Sequence, residues 1–362
     1  MGSMNRKALT EGDIRTPVIE DGPSAATDRR VARHHDRSPR ETSIADMRTR
    51  PVSPFLGRTP ANVAYATQWG RMLHGKSDEI LDDGSLARFE GRINLIFTSP
   101  PFPLNRKKRY GNETGDGYIR WLCKFGPLFK RMLTEDGSIV IEMGNSWEAG
   151  MPVMSTLALR ALLEFQSKNE LHLCQEFIWQ NPAKLPSPAQ WVNVERIRVK
   201  DSFTKLWWMS PNRKPKANNQ HVLREYSQAM KDLLKKGSYN AGKRPSEHNI
   251  GATSFLKNNG GAIPSNVLTY SNTLNSDPYQ TYCRLTKLQM HPARMPKELA
   301  KFFIKFLTES RDLVLDPFGG SNTTGVAAEE LKRYWISIEA SEDYIKGSRG
   351  HFGERMTMDS FA

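Results

Sequence analysis

Cysteine is scarce in this chain: 362 residues contain three, Cys123, Cys174 and Cys283, with no CxxC pair. The odd number argues against a disulfide framework, and the spacing offers no paired metal ligands. Long apolar runs are missing as well. No segment reaches the roughly eighteen continuous apolar residues that span a bilayer, and the opening residues lack a signal-peptide core. A cytoplasmic protein is the expectation. Internal repeats and sustained heptads are also lacking, which excludes solenoids and coiled coils. Acid is in deficit: 52 Lys and Arg against 39 Asp and Glu give a net charge of +13. Such a balance favours an acidic partner, and without a basic amphipathic helix a nucleic acid fits better than a membrane surface.

Residues 1–60 are polar and mixed in charge, with "RRVARHHDRSPRETS" at their centre. They read as a flexible arm, either a bland tail or one whose arginines touch phosphate. His34 and His35 lack neighbouring ligands for a metal. From 61 to 180, "INLIF", "GSIVIEMGN" and "CQEFIWQ" read as strands, separated by helical runs "YIRWLCKFGPLFKRML" and "PVMSTLALRALLEF". Gly126-Pro127 is expected to bend or divide the first helix. Residues 181–285 shift to Asn, Pro, Gly, Lys and Arg, as an irregular recognition region would. Within it, alternation in "KLWWMS" predicts one core and one exposed tryptophan at Trp207 and Trp208. Residues 286–347 return to strand, loop, helix and strand, and 348–362 form a tail. The alternation predicts an α/β sheet.

Two motifs carry chemistry. "TSPPF" closes the strand "INLIF", where each proline removes an amide donor and disfavours helix in its predecessor. "DPFGGSNTTG" follows the strand "LVLD" and opens a helix, so Gly319 and Gly320 allow a tight turn and a ligand's close approach. It is neither a Walker loop nor GxGxxG. Glu339, ending "WISIE", suits two ribose hydroxyls or is a solvated edge acid. Asp316 either binds a cofactor ammonium or orders the loop, and Phe318 either lies against adenine or closes the core.

Together "TSPPF" and "DPFGGSNTTG" resemble the amino-methylating DNA methyltransferases, and the order of catalytic motif, recognition region and cofactor motif resembles their permuted beta group. The resemblance covers roughly residues 62–347. "TSPPFPLNRKKRYGN", "NPAKLPSPAQWVN", "RIRVKDSFTKLWW" and "NNGGAIPSN" are similar to the cytosine-N4 enzymes of the PvuII type. The resemblance implies a circularly permuted, Rossmann-like S-adenosylmethionine-dependent fold with a target-recognition insertion.

It further implies that Ser99 and the Pro100 carbonyl hold a flipped base's amine, that Pro101 stiffens the pocket and that Phe102 stacks on the base. The cofactor set implied is His291, Pro292, Asp316, Phe318, Gly319, Gly320, Ser321, Asn322, Thr323, Thr324 and Glu339. Asn322 stands where many relatives use glycine, so its side chain must point away or make a replacement contact. Lys76 stands where an acid is common; it cannot accept from an adenine amine, so another group does or Lys76 faces solvent.

Arg106, Lys107, Lys108, Arg109, Lys184, Arg196, Arg198 and Lys200 are the candidate contacts to double-stranded DNA. Serine at the first motif position favours cytosine N4 over adenine N6, where Asp or Asn is common. Cytosine C5 chemistry is disfavoured because no cysteine follows a proline. The resemblance also implies CAGCTG as target, functional pairing with a restriction endonuclease without a stable complex, and action at the nucleoid of a prokaryote. No metal is required, and monomer and dimer both remain open. From another class, a DNA-binding regulator on the same scaffold is the competing reading.

Overall fold

The computed structural model describes residues 53–56, 60, 62–102, 114–272 and 277–353. Most of the predicted arm, the basic run Arg106 to Arg109 and the last nine residues of the tail lie outside them. In chain order the strands of the main sheet are β1 (Val63–Ala66), β2 (Gly70–His74), β3 (Ile93–Thr98), β4 (Leu133–Gly144), β5 (His172–Gln180), β6 (Phe203–Ser210), β7 (Val267–Thr269), β8 (Leu313–Asp316) and β9 (Tyr334–Glu339). The helices are α1 (Ser77–Asp82), α2 (Gly115–Met132), α3 (Leu157–Lys168), α4 (Gln228–Lys236), α5 (Pro278–Leu285), α6 (Lys297–Leu307), α7 (Thr323–Glu330) and α8 (Glu342–Ser348).

The sheet order is β1-β2-β9-β8-β3-β4-β6-β5-β7. Strands β2, β9, β8, β3 and β4 run parallel to one another, and β6 pairs antiparallel with both β4 and β5. Near-continuous apolar strands such as "INLIFT" follow from burial on both faces. Ile96 joins the core under α1, α2 and α3, whereas Leu95 and Phe97 join the core under α6, α7 and α8. Alternate side chains therefore serve two cores.

The same geometry corrects the tryptophan expectation. Trp207 and Trp208 do point to opposite faces, but both faces are covered and both rings are buried. The recognition region is also partly built into the main sheet, through β6 and β7.

Helix α2 is unbroken despite Pro127. Proline leaves the carbonyl four residues earlier without its helical donor. Here Asn169 Nδ2 donates to that carbonyl, Cys123 O, at 3.5 Å, and to Phe165 O at 2.8 Å. Gly126 makes room for it: a Cβ there would lie 1.9 Å from Asn169 Cγ.

Chain connections leave adjacent β3 and β8 in opposite directions, β3 toward β4 and β8 toward β9. A crevice at the carboxyl ends of such strands is where α/β sheets bind ligands. Among the described residues, no helix is long and apolar enough to cross a membrane.

Candidate active site

A cleft of about 590 Å³ opens at that crevice. Parallel pairing of β3 with β8 and β8 with β9 brings the ends of "INLIFT", "LVLD" and "YWISIE" side by side. The two motifs, separated by more than two hundred residues, thereby share one wall.

The cofactor loop is built around two acids. Asp316 is buried and accepts from Thr98 Oγ1 at 2.8 Å, Thr324 Oγ1 at 2.6 Å and the Phe318 amide at 3.1 Å. Burial pushes its carboxyl above the usual range despite these donors. It orders the loop and does not line the cleft. Glu339 does line it, accepting from the Gly320 amide at 2.7 Å and the Ser341 amide at 2.8 Å. Its carboxyl too is raised by burial. Each oxygen retains lone-pair capacity toward the cleft.

Gly320 adopts φ +51, and a Cβ there would come within 3.1 Å of His291 Nε2; a Cβ on Gly319 would come within 3.2 Å of Ser337 Cβ. Gly319 packs on the sheet and does not line the cleft, whereas the missing side chain of Gly320 leaves room in it, and Phe318, His291 and Glu339 around that space suit the ring, chain and ribose of S-adenosylmethionine. Phe318 meets Phe125 edge-on at 5.1 Å and Trp121 at 5.6 Å between ring centroids. His291 packs edge-on to Tyr344 at 4.6 Å. Pro292 is exposed and stands outside the cleft.

Ser321, Asn322, Thr323 and Thr324 are buried beneath the loop and face away from the cleft. Asn322 adopts φ 58 and caps α7 by accepting from the Gly325 amide at 3.1 Å. Its Oδ1 also accepts from Ser337 Oγ at 2.7 Å, and its Nδ2 donates to the Tyr65 hydroxyl at 2.9 Å. Asparagine tolerates the left-handed backbone that glycine usually supplies, and here its side chain turns inward.

Ser99, Pro100, Pro101 and Phe102 line the other half of the cleft. The Phe102 ring lies so close to Gly144 that a Cβ there would meet it at 2.8 Å. Behind Ser99 stands a group the motifs do not contain: Glu142, buried on β4 and lining the cleft. Burial raises its carboxyl, while the Ser99 hydroxyl and the Lys184 ammonium pull it down without cancelling the rise. A lone acid inside the apolar run "IVIEMG" was the available signal.

Asn181 and Asn272, bonded at 2.8 Å, add a polar wall, and Trp179 borders it. Lys76 lies at the mouth and pairs with Glu79 at 2.7 Å while largely exposed. Burial raises all three thiols, Cys174 to about 11, so none is poised as a thiolate.

The basic residues divide. Arg196 is exposed. Lys184 pairs with Asp201 at 3.1 Å, and Asn145 Nδ2 donates to the same carboxylate at 2.8 Å. Lys200 Nζ donates to Pro182 O at 3.2 Å and Lys184 O at 3.4 Å. Arg198 lies 3.6 Å over the Trp147 ring and donates to Pro152 O at 2.6 Å. Each of these three thus has a partner within the chain, and Lys184 and Lys200 help to hold residues 182–201 at their base.

Sheet, glycine loop and paired acids define a Rossmann-like methyltransferase of the S-adenosylmethionine-dependent class, in permuted order. Residues 93–349 match the family model N6_N4_Mtase, described as DNA methylase, and the chain belongs to that family. It is 42% identical over 299 residues to the type II methyltransferase M.PvuII of Proteus hauseri, covering 82% of this chain and 87% of that one. To M.HindIII of Haemophilus influenzae it is 22% identical over 80% of this chain and 84% of that one. A solved structure, the PvuII DNA methyltransferase (cytosine-N4-specific), superposes with a TM-score of 0.65 at 36% identity, over 82% of this chain and 90% of that one. The protein is thus an S-adenosylmethionine-dependent DNA methyltransferase.

Proposed function

We propose that the acceptor is the exocyclic N4 of a cytosine in double-stranded DNA. The observation that carries this reading is Ser99 against the buried Glu142 in the cleft that also holds Glu339. Likeness to a relative named as cytosine-N4-specific supports it.

Cytosine's amine is a poor nucleophile because its lone pair is drawn into the ring. The Ser99 hydroxyl and the Pro100 carbonyl accept from the two N–H bonds and hold the nitrogen in line for attack. Phe102 stacks on the base, which has left the helix because a stacked base cannot present its amine to a cleft. Bound S-adenosylmethionine supplies an electrophilic methyl group, made so by its sulfonium charge. As positive charge develops on nitrogen, the Glu142 carboxylate compensates it, and Ser99 passes the released proton to Glu142. Its raised pKa makes Glu142 a better base than an ordinary carboxylate. On the cofactor side, His291, Phe318, Gly320 and Glu339 make the contacts, while Asp316, Gly319, Ser321, Asn322, Thr323 and Thr324 shape the loop.

The target proposed is CAGCTG, modified at the inner cytosine, as protection against a partner endonuclease in a prokaryotic cytoplasm. Labelled methyl transfer to a duplex with one CAGCTG site, against the same duplex carrying CAGTTG, tests it. Transfer to the first alone is the expected result; equal transfer to both would contradict the target.

A further inference from the structure

Between β5 and β6 the chain makes an excursion, residues 182–201, in which no side chain is buried. Its neck is closed by the Asn181 amide on Ser202 O at 2.8 Å, by the Lys184–Asp201 pair, and by Lys200 on the carbonyls of Pro182 and Lys184. Asn181, Lys184 and Ser202 of this neck line the cleft. The first residues beyond it are aliphatic and open to solvent: Leu185 is 79% exposed and Val199 is 89% exposed. Val194 and Ile197 farther out are also exposed.

Apolar side chains held out in water by a polar, ion-paired neck contribute nothing to this fold's core. They suit a partner that offers an apolar gap next to the cleft. A duplex with one base extruded is such a partner, since extrusion leaves an empty step in the stack and an orphaned base opposite. Apolar wedges from proteins fill opened base steps in this way. The excursion also carries four cations, Lys184, Arg196, Arg198 and Lys200, against two acids, Glu195 and Asp201, which complements flanking phosphates.

We propose that Leu185 is the wedge that enters the duplex at the position vacated by the target base, with Val199 supporting it across the neck. Leu185 adjoins Lys184, a cleft-lining residue, so its Cα lies about 3.8 Å from that of Lys184. The excursion's fixed neck transmits the base's position to the wedge. This inference rests on the base-extrusion reading above.

The test compares full-length wild type, Leu185→Ala and Leu185→Met on two duplexes. One holds the target cytosine in a normal pair; the other holds it in a C·A mismatch, where it is already unpaired. A wedge predicts that Leu185→Ala loses at least tenfold of methyl transfer on the paired duplex, keeps wild-type transfer within twofold on the mismatch, and binds S-adenosylmethionine normally. Leu185→Met, long and apolar, restores transfer on the paired duplex. Equal losses on both duplexes, or wild-type transfer by Leu185→Ala on the paired one, would overturn the wedge. Wild-type protein inactive on both duplexes would instead overturn the methylation reading beneath it.

Discussion

The Thr98 hydroxyl donates to the Asp316 carboxylate at 2.8 Å, joining the residue before the SPPF motif to the residue that opens the glycine loop. Since β3 and β8 are neighbours, this bond ties the SPPF turn to the glycine loop. Asp316→Asn keeps the shape but places an amide among three donors, at a cost of about 1–3 kcal/mol for the buried mismatch. Chemical denaturation should show that loss, and both cofactor affinity and turnover should fall. A variant impaired in turnover alone would contradict the coupling.

On the proposed mechanism, Ser99→Ala removes an amine acceptor and the proton's route to Glu142. Turnover should fall on the order of 100-fold. Calorimetric affinity for S-adenosylmethionine should stay within twofold, because Ser99 belongs to the base side of the cleft.

Glu142 gives a pH signature. Its folded pKa is raised, so the ionised form that accepts the proton appears only as pH rises through a value above the ordinary glutamate range. The acid limb of the wild-type rate profile should therefore sit above that range, and Glu142→Gln should abolish most turnover. For stability the sign reverses. An acid with raised folded pKa costs stability as pH climbs from its unfolded to its folded pKa, so Glu142→Gln should be more stable than wild type at neutral pH. The difference should vanish below the unfolded pKa, as pH-dependent denaturation will read.

Glu339→Ala removes the proposed ribose acceptors and releases the Gly320 amide. A charged hydrogen bond of about 1.5–3 kcal/mol corresponds to at least tenfold weaker cofactor binding, measured by titration calorimetry. DNA binding without cofactor should not change.

Gly144→Ala puts a methyl 2.8 Å from the Phe102 ring. The ring must shift, so KM for DNA should rise while cofactor affinity holds. Normal KM would show that the ring position is not critical to base capture.

Contiguous motifs made half the site legible. Ser99, Phe102, Gly320 and Glu339 sit at strand ends marked by prolines, glycines or an acid, and the strand-helix alternation announced the sheet. Glu142 showed only as a lone acid in an apolar strand, which says nothing of what it faces. Asn181 and Asn272 lie 91 residues apart and meet only through the parallel pairing of β5 with β7. The partners of Lys184, Arg198 and Lys200 within the chain were not legible, because charge is visible in a sequence but partners are not. Asn322 was visible as a departure, whereas its bonds to Tyr65 and Ser337 required tertiary structure.

The most direct measurement is mass spectrometry of nucleosides from unmethylated duplex DNA incubated with the protein and S-adenosylmethionine. The account predicts N4-methylcytosine. N6-methyladenine in its place would contradict the base assignment, and no modified nucleoside from any duplex would contradict the chemistry assigned to Ser99 and Glu142.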